Sequence, residues 1–591
     1  MSTNKPSPIL TNHAMLVAWG IYARQIGLVK AIEGVKLHQK KRDHTPQTKV
    51  LEFLVSILAG LPHLKDLSLS AHPLDQDQAV AAAWQQPAWA DYSGVSRTLS
   101  SLSQAEVEHL IAALQEVSQP FIDRDVMLAQ GQSGYLIYDG DLTGRPVSNS
   151  SDTYPGVAYG YMGDTIELGY QAALVSMHSP TYGRLWLSVQ THPGDKIACN
   201  QLQQMVKAVE ASTGVRPRRR VELIRQRLTE LEQACQQAQT RQQGAQQQRQ
   251  RAQAKRDEVA DQLQLWQQQR QQLAAEYKRR GRVERPHSAL AKARRKVRMY
   301  RNRLGRRNKE LVQTQHRLER RQEQYQLALK EVGHMLDHLR QLEADNAANP
   351  SSVRIIFRLD AGFGTKENVD WLIEMGYEIL SKPFSHWVTE TLKRELEADT
   401  LWQQVGHNAE MTAWSDRALA NYRYPLNVAL ARYHLGDTVR HSVFLHYGCD
   451  PLPDDLPAWF QTYNGRQTIE AGIKEGKGVF QMHHLKVRSQ PALLLQEFLA
   501  TLAANFVRWA AHWLSQQAQP AVIQPAPVQT ETRVKHLVQI AAHTSAWVFW
   551  QEDGCLLTFT AQSLYAGQSL LLGGCYFFQP PLPFFKSLVF F

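Results

Sequence analysis

Four residues whose side chains could hold a phosphodiester beside a metal ion have the spacing of one face of a helix. The pattern Tyr-x2-Arg-x3-Glu-x6-Lys is formed by Tyr463, Arg466, Glu470 and Lys477. At about 100° per residue, all four fall within roughly 60° of arc. The carboxylate can bind an ion, and the guanidinium and ammonium can bind the phosphate. The alternative is an exposed helix face with i,i+4 charge pairs, which is the commoner occurrence.

A second carboxylate follows a predicted buried strand. Asp360 comes directly after the apolar segment Val353–Leu359 and precedes Gly362, Gly364 and a predicted helix. In α/β folds, an Asp at the carboxyl end of a strand is often a metal or phosphate ligand, and glycines let the ligand approach. The alternative for this segment alone is an Asp that stabilises a turn or caps the helix.

A third carboxylate site ends another predicted strand, 134–141. Asp139 and Asp141 are two residues apart, so a strand would present both on one face, and either could bind a metal. A turn carboxylate is again the alternative. Three acidic sites of this kind supply the oxygen ligands that two Mg²⁺ ions prefer, and Mn²⁺ could substitute for Mg²⁺.

The positive charge of the chain is concentrated in one segment. The net charge is +11 over 591 residues, but residues 218–348 hold 31 Lys and Arg against 15 Asp and Glu. Polyanion binding is therefore expected in that segment. Five cysteines without zinc-type spacing, together with no apolar run of about 18 residues, favour a cytoplasmic protein.

Changes in composition divide the chain into a multidomain α/β architecture. Residues 1–130 are predicted to be a helical, DNA-binding domain, in which Ser93–Leu99 could begin a recognition helix or simply be capped at Ser96. The remaining predicted segments are a catalytic core in three parts (131–217, 349–388 and 461–517), a basic hairpin insertion (218–348), a strand-rich insertion (389–460), a Pro-rich linker (518–529) and a small C-terminal domain (530–591).

The basic segment has the heptad pattern of an antiparallel coiled-coil hairpin. One ladder runs through Leu231, Ala238, Ala245, Ala252, Val259, Trp266 and Leu273. The other runs through Leu290, Val297, Leu304, Leu311, Leu318, Tyr325, Val332 and Leu339. Gly281 and Pro286 interrupt the helix between them. Lys278–Lys309 contains 15 basic residues and one acid, which favours binding to the DNA backbone over a merely solvated surface.

The order of these motifs resembles the DDE transposases of bacterial insertion sequences, in the cut-and-paste branch that carries the Tyr-x2-Arg-x3-Glu-x6-Lys signature. The resemblance covers most of residues 12–217 and 349–560. It also includes Val95-Ser-Arg97-Thr-Leu99, Asp360-Ala-Gly362-Phe363 and Leu502-Ala-Ala-Asn505. It implies an RNase H-like catalytic core with an all-α N-terminal domain. The long basic hairpin departs from the pattern expected of the family.

The resemblance also implies roles for individual residues. The Asp-x-Thr pattern of Asp141-Leu-Thr143 selects Asp141 over Asp139, and the implied catalytic, metal-binding triad is Asp141, Asp360 and Glu470. Tyr463, Arg466 and Lys477 would hold the phosphate at the DNA end. The implied cofactor is a pair of Mg²⁺ ions. The implied partners are terminal inverted repeats and target DNA, bound by a homodimer in a synaptic complex.

Two other functions use the same features. An RNase H-like nuclease would cut with this triad but would not join strands. A non-catalytic, coiled-coil DNA-architectural protein would keep the carboxylates without using them. Trp402 and Trp414 could stabilise an extruded base, although core packing is the expected role of each.

Overall fold

The computed structural model of the chain describes residues 7–40, 43–148, 153–163, 165–420, 422–517, 534–552, 554–563 and 565–573. It has a mixed α/β, multidomain fold with a mixed sheet. Two compact units are present. One combines residues 1–218 with 351–591, and the other is the inserted segment 219–350. All six residues of the predicted site belong to the first unit.

The N-terminal segment is helical after a short strand, β1 (Ile9–Thr11). Its helices are α1 (Ala14–Gln25), α2 (Leu28–Gly34), α3 (Pro46–Leu58), α4 (Asp66–Leu69), α5 (Gln78–Ala83), α6 (Tyr92–Ser100) and α7 (Gln104–Ser133). Side-chain caps fix several of their starts. Asp91, rather than Ser96, caps α6 by accepting a hydrogen bond from the Gly94 amide at 2.9 Å. Ser103 and Glu106 form a capping box at the start of α7.

The first half of the central sheet is built on one long strand, β2 (Tyr135–Pro146). It pairs antiparallel with β4 (Ile166–Ser179), which also pairs antiparallel with β3 (Ala158–Tyr161) and β5 (Gly183–Pro193). Strands β2, β4 and β5 thus form an antiparallel meander, with β3 as an additional strand on β4. Helix α8 (Leu202–Thr213) follows it.

The inserted unit is an antiparallel pair of long helices, α9 (Val221–Arg279) and α10 (Ala289–Ala347), each 59 residues long. Arg225 contacts Glu343 at 2.6 Å, and Arg317 donates to Gln248 at 3.1 Å, so the two helices run in opposite directions. Their connection contains Gly281 with a φ of 61°, a conformation that favours glycine. Two alanines of the α9 ladder, at 245 and 252, are buried, so this part of α9 approaches α10 closely.

Parallel strands continue the central sheet on the other side of β2. Strand β6 (Arg354–Arg358) is parallel to both β2 and β7 (Glu378–Ser381). Helix α11 (Lys366–Glu374) connects β6 to β7. The strand predicted before Asp360 and the helix predicted after it are therefore confirmed.

The strand-rich segment extends the same sheet. After α12 (His386–Arg394) come β8 (Gln403–Gly406), β9 (Ala409–Arg417), β10 (Leu426–Leu435) and β11 (Thr438–Tyr447). Strand β11 pairs antiparallel with β7, so the order is β3-β4-β2-β6-β7-β11-β10-β9-β8, with β5 on β4. The pairing was not expected, because β7 and β11 are far apart in sequence.

The helical segment that follows β11 is divided into three α-helices. Helix α13 (Leu456–Asn464) is followed by α14 (Gln467–Gly478) and, after a break, by α15 (Gln490–Gln517). Gly476 and Gly478 weaken the end of α14. Pro491 suits the first turn of a new helix because its missing amide hydrogen needs no partner there.

A second, four-stranded sheet joins segments from opposite ends of the chain. Helix α16 (Val534–Gln539) precedes β12 (Ala546–Gln551), β13 (Gly554–Phe559) and β14 (Ser569–Gly573), and β12 pairs antiparallel with β1. The predicted C-terminal segment thus shares its sheet with the N-terminal segment. The predicted linker 518–529 lies outside the described residues.

Within the described ranges, no single helix has the length and hydropathy needed to span a membrane. The pair α1 and α2 meets that criterion only when both helices are counted together, and they are bent by 68°.

Candidate active site

The three predicted carboxylates come from neighbouring elements of the central sheet. Asp141 lies in β2, Asp360 lies two residues beyond the end of β6, and Glu470 lies in the first turn of α14. Strands β2 and β6 are parallel neighbours in which Asp139 is opposite Arg358. Asp141 and Asp360 each lie two residues beyond the Asp139–Arg358 pair. Their side chains therefore emerge on the same face of the sheet, at the same level.

Asp141 does not end its strand, contrary to the sequence prediction. Strand β2 continues to Pro146 because its pairing with β4 extends from Tyr138 to Pro146. Its parallel pairing with β6 stops earlier, at Asp139. Asp141 therefore lies just beyond the end of the pairing with the shorter neighbour β6.

The guanidinium of Arg466 lies among the three carboxylates. Its Nη1 is 2.7 Å from a Glu470 oxygen, and its Nη2 is 3.2 Å from Asp141 and 4.0 Å from Asp360. The Arg466 side chain is only 9% exposed, whereas those of Asp360 and Glu470 are 39% and 45% exposed. The cluster is thus closed on the side of Asp141 and Arg466 and open to solvent on the side of the other two acids.

Burial and mutual repulsion disfavour ionisation of the aspartates. Burial raises the pKa of Asp141 to about 6, the Arg466 guanidinium opposes this shift, and the Asp360 and Glu470 carboxylates add to it. Burial also raises the pKa of Asp360, again opposed by Arg466. Buried carboxyl groups that lie close together bind a cation favourably. The cation offsets the repulsion between the carboxylates and the cost of burying their negative charge.

Asp139, the alternative candidate, is occupied by a different partner. Its two oxygens accept hydrogen bonds of 2.6 Å from Nε and Nη2 of Arg358, and both side chains are almost fully buried. The Thr468 hydroxyl lies 3.4 Å from the same carboxylate. Asp141, and not Asp139, therefore lies with Asp360 and Glu470 around Arg466, while Asp139 is bonded to Arg358.

Tyr463 and Arg466 do not share one continuous helix. Tyr463 lies in α13, and Arg466 directly precedes α14. A Cβ at the intervening Gly465 would overlap Nη1 of Arg358, so a larger residue there would force that buried guanidinium to shift. The Tyr463 side chain is buried, and its hydroxyl donates a 3.3 Å hydrogen bond to the Leu359 carbonyl oxygen. In this structure it supports the loop before Asp360 rather than facing solvent.

Lys477 lies in the last turn of α14 and is half-buried beside the cluster. Burial lowers its pKa, the nearby Arg145 guanidinium lowers it further, and Asp141 and Glu497 oppose the shift. No ion pair links Lys477 to a carboxylate within the described part of the chain. Its ammonium is therefore placed near Asp141 without being neutralised by direct contact.

Several buried charges around the site were missed at the level of sequence. Arg145 and Glu497 form a bidentate pair at 2.9 and 3.2 Å, with side chains only 1% and 2% exposed. Lys382 lies 5.3 Å from the ring centres of Phe444 and Tyr463, and burial lowers its pKa. The only signal in the sequence was a charged residue in an apolar segment, which identifies neither the partner nor the burial.

Trp402 and Trp414 pack against arginines on the strand-rich part of the sheet. The Arg432 guanidinium lies 4.2 Å from the Trp402 ring centre, and that of Arg417 lies 5.1 Å from Trp414. Both indoles are partly exposed. Each tryptophan thus forms a cation–π pair at the surface, whereas the sequence predicted that both would pack in the core.

The donor set at the cluster fits a hard divalent cation. All three side chains offer carboxylate oxygens, and Oδ1 of Asp360 is a buried acceptor with no hydrogen-bond donor in the described ranges. As the side chains stand, no group of three or more His, Cys, Asp or Glu residues in those ranges is arranged to hold a metal ion. At this cluster the guanidinium of Arg466 lies between the three acids.

No protein-family model matches the chain, and no curated protein matches its sequence.

Proposed function

We propose that the chain is a DNA transposase that binds the ends of a mobile element and catalyses strand cleavage and strand transfer with divalent metal ions. The observation that carries the proposal is the convergence of Asp141, Asp360 and Glu470 on one cation, at the point where β6 ends beside β2. Three oxygen-donor side chains from two parallel strands and one helix suit a pair of Mg²⁺ ions, for which Mn²⁺ could substitute.

The sheet supports an RNase H-like core. We assign this core to β2, β4, β5, β6 and β7, in which three antiparallel strands precede two strands parallel to the first. The candidate acids follow the order expected from the resemblance, with one on the first strand, one after the fourth and one on a later helix. The strands β8–β11 extend this assigned core at its edge.

Each side chain at the site has a distinct role in the proposed reaction. Asp141, Asp360 and Glu470 would hold the ions, which when bound activate the attacking oxygen and stabilise the leaving oxygen. Arg466 and Lys477 would contact the phosphate at the DNA end, since each is a cation beside the acids and not a ligand. The buried contacts of Tyr463 and of the Asp139–Arg358 pair would keep the strands and α14 in position.

We propose that the inserted unit is an antiparallel coiled coil and that it binds the DNA backbone. Of the eight positions in the ladder on α10, Leu290, Val297, Leu318 and Leu339 are buried. The 15 basic residues of Lys278–Lys309 lie around the connection between the two helices. Arginine and lysine side chains on a long rod can neutralise successive phosphates without reading sequence.

The proposal predicts nicking and joining of DNA that carries the terminal inverted repeats of the element. Purified protein should nick such DNA with Mg²⁺ or Mn²⁺, and the product should become joined to a second DNA. Asp141→Asn should abolish both steps, whereas Asp195→Asn, a matched change at an exposed aspartate, should not. Activity that survives EDTA would contradict the proposal.

Two results would favour the other functions. Cleavage without joined products in the same assay would favour an RNase H-like nuclease. DNA binding that survives Glu470→Ala, combined with no cleavage by the unmodified protein, would favour a non-catalytic architectural protein.

A further inference from the structure

Arg466 makes more contacts with the candidate triad than a residue reserved for DNA would need. One guanidinium reaches Glu470 at 2.7 Å, Asp141 at 3.2 Å and Asp360 at 4.0 Å. No other Lys or Arg in the described ranges forms an ion pair with any of these acids. Without Arg466, three carboxylates would face one another in a partly buried site, which is strongly unfavourable.

A divalent ion and this guanidinium need the same oxygens. A carboxylate oxygen that accepts a short hydrogen bond from Arg466 cannot at the same time give its lone pairs fully to a metal ion. Asp360 and Glu470 are open to solvent, and Arg466 lies beneath that opening. An ion that enters from solvent therefore meets acids that are already partly neutralised, and it must displace the guanidinium to gain full coordination.

A phosphate at the opening would favour that displacement. A guanidinium group binds phosphate oxygens at least as well as it binds carboxylate oxygens, through paired hydrogen bonds. Nε of Arg466 is buried and has no hydrogen-bond acceptor in the described ranges, so the present position leaves part of its donor capacity unused. Movement of the guanidinium from the acids to a phosphate would supply an acceptor and free the carboxylates together.

We propose that Arg466 is the internal counter-ion of the carboxylate site and couples the binding of a DNA phosphate to the binding of divalent metal ions. The inference rests on the proposed function, because it takes the triad to be a metal site. Metal ions bind weakly while Arg466 neutralises the acids, and they bind more tightly when a phosphate holds Arg466. Thermodynamic linkage makes the effect reciprocal, so metal ions must strengthen the binding of DNA by the same factor.

The direct test measures Mn²⁺ binding to the full chain in the absence of DNA, by the electron paramagnetic resonance signal of free Mn²⁺. Arg466→Gln should lower the dissociation constant for Mn²⁺ roughly tenfold, equivalent to about 1.4 kcal/mol. Arg466→Lys should lower it less, because a positive charge remains. Activity is not needed for this measurement.

Two control variants distinguish the direct contact of Arg466 with the acids from the effect of net charge on Mn²⁺ affinity. Lys477→Gln removes a nearby cation that is not paired with the acids, and it should change Mn²⁺ affinity only slightly. Arg432→Gln removes an arginine–carboxylate contact of 2.6 Å on β10, away from the site, and it should have no effect. If Lys477→Gln tightens Mn²⁺ binding as much as Arg466→Gln does, only the net charge matters and the proposed contact role fails.

The coupling itself is tested by repeating the titration with a short, blunt-ended DNA duplex. The duplex should tighten Mn²⁺ binding to the unmodified protein, and Arg466→Gln should remove that tightening. Equal Mn²⁺ affinity for the two proteins, with and without the duplex, would overturn the inference. The metal site would still stand in that case if Asp141→Asn abolished binding. No Mn²⁺ binding at all would overturn both the inference and the proposed metal site.

Discussion

Asp139 and Arg358 face each other across the parallel strands β2 and β6 and are joined by two hydrogen bonds of 2.6 Å. Arg358 also donates to the Thr462 carbonyl oxygen at 2.8 Å, while Thr468 contacts Asp139. The pair therefore connects both strands to the helices on either side of Gly465. Each partner lies two residues from a candidate metal ligand, and Thr468 lies two residues before Glu470.

Removal of either partner of this pair should destabilise the protein strongly. Asp139→Asn or Arg358→Gln leaves a buried charge without its counter-ion, and we expect the free energy of unfolding to fall by about 3–5 kcal/mol. Chemical denaturation measures the change. Lys393→Gln breaks a more exposed pair with Glu390 and should have little effect. A decrease no larger than that of Lys393→Gln would show that the pair is not a brace.

Asp141→Asn should separate catalysis from folding. The substitution removes a proposed metal ligand, so nicking should fall by at least about 100-fold, the upper range seen when only a supporting residue is removed. The amide is neutral, and burial already disfavours the charged form of Asp141, so thermal stability without metal should be kept. DNA binding, measured by a mobility shift in EDTA, should also be kept. A folded Asp139→Asn protein that fails to bind Mn²⁺, beside an Asp141→Asn protein that binds it, would reverse the assignment.

Glu52 should make stability depend on pH in the N-terminal segment. It is fully buried in α3, and burial raises its pKa to about 9, opposed by the hydrogen bond from the Ala90 amide. Between its ordinary pKa of 4.5 and about 9, the folded state holds a proton that the unfolded state has released. The free energy of unfolding should therefore contain a contribution that decreases as pH rises through this window.

Glu52→Gln should remove this contribution. We expect the variant to be more stable than the unmodified protein near pH 8 by on the order of a few kcal/mol, with a smaller difference near pH 5. Denaturant titrations at several pH values measure both. Glu106 is a suitable control: burial favours its protonated form, but hydrogen bonds outweigh this effect and lower its pKa to about 2, so Glu106→Gln should not change the slope in this window. Parallel pH profiles for Glu52→Gln and the unmodified protein would contradict the prediction.

Deletion of the inserted unit should leave a folded core. The chain on its two sides already meets, because the Val353 amide donates to the Arg216 carbonyl oxygen at 3.2 Å. Replacement of residues 218–348 by a short flexible linker should therefore preserve cooperative unfolding and Mn²⁺ binding. Nicking of a short DNA end should persist. Binding to long DNA should weaken and become less salt-dependent, with the log–log slope reduced by about 0.9 for each phosphate that the protein no longer neutralises.

A charge-only variant distinguishes DNA contact from a structural role of the same unit. Substitution of Arg298, Arg301 and Arg306 by Gln removes three exposed charges near the connection without shortening the helices. It should reduce the salt slope and leave the unfolding transition unchanged. If neither this variant nor the deletion changes the affinity for DNA or its salt dependence, the unit is a protein-contact or dimerisation arm.

Local patterns predicted much of the fold and the residues of the candidate site. Heptads and the Gly281–Pro286 break predicted the two long helices, and short apolar segments predicted the strand that carries Asp141 and the strand that precedes Asp360. Pairings between distant segments were not predictable in this way, since β7 with β11 and β1 with β12 depend on tertiary contacts. The position of Arg466 among the acids was missed for the same reason: spacing on a helix does not reveal what a long side chain faces.

The hydrogen bond between Arg216 and Val353 has a consequence for synthesis of the chain. Strand β2 cannot acquire its parallel neighbour β6 until the inserted unit has been made, which at about 5–20 residues per second takes on the order of ten seconds. The unit is able to fold by itself in that interval, because its contacts are between neighbouring helices, and the Arg219 amide then lies 2.7 Å from the Asn346 side chain. Shortening the effective loop from about 130 to about 8 residues lowers the entropic cost of closure by about 2.5 kcal/mol. The insertion thus delays the arrival of β6 and, once folded, delivers that strand close to the edge it must join.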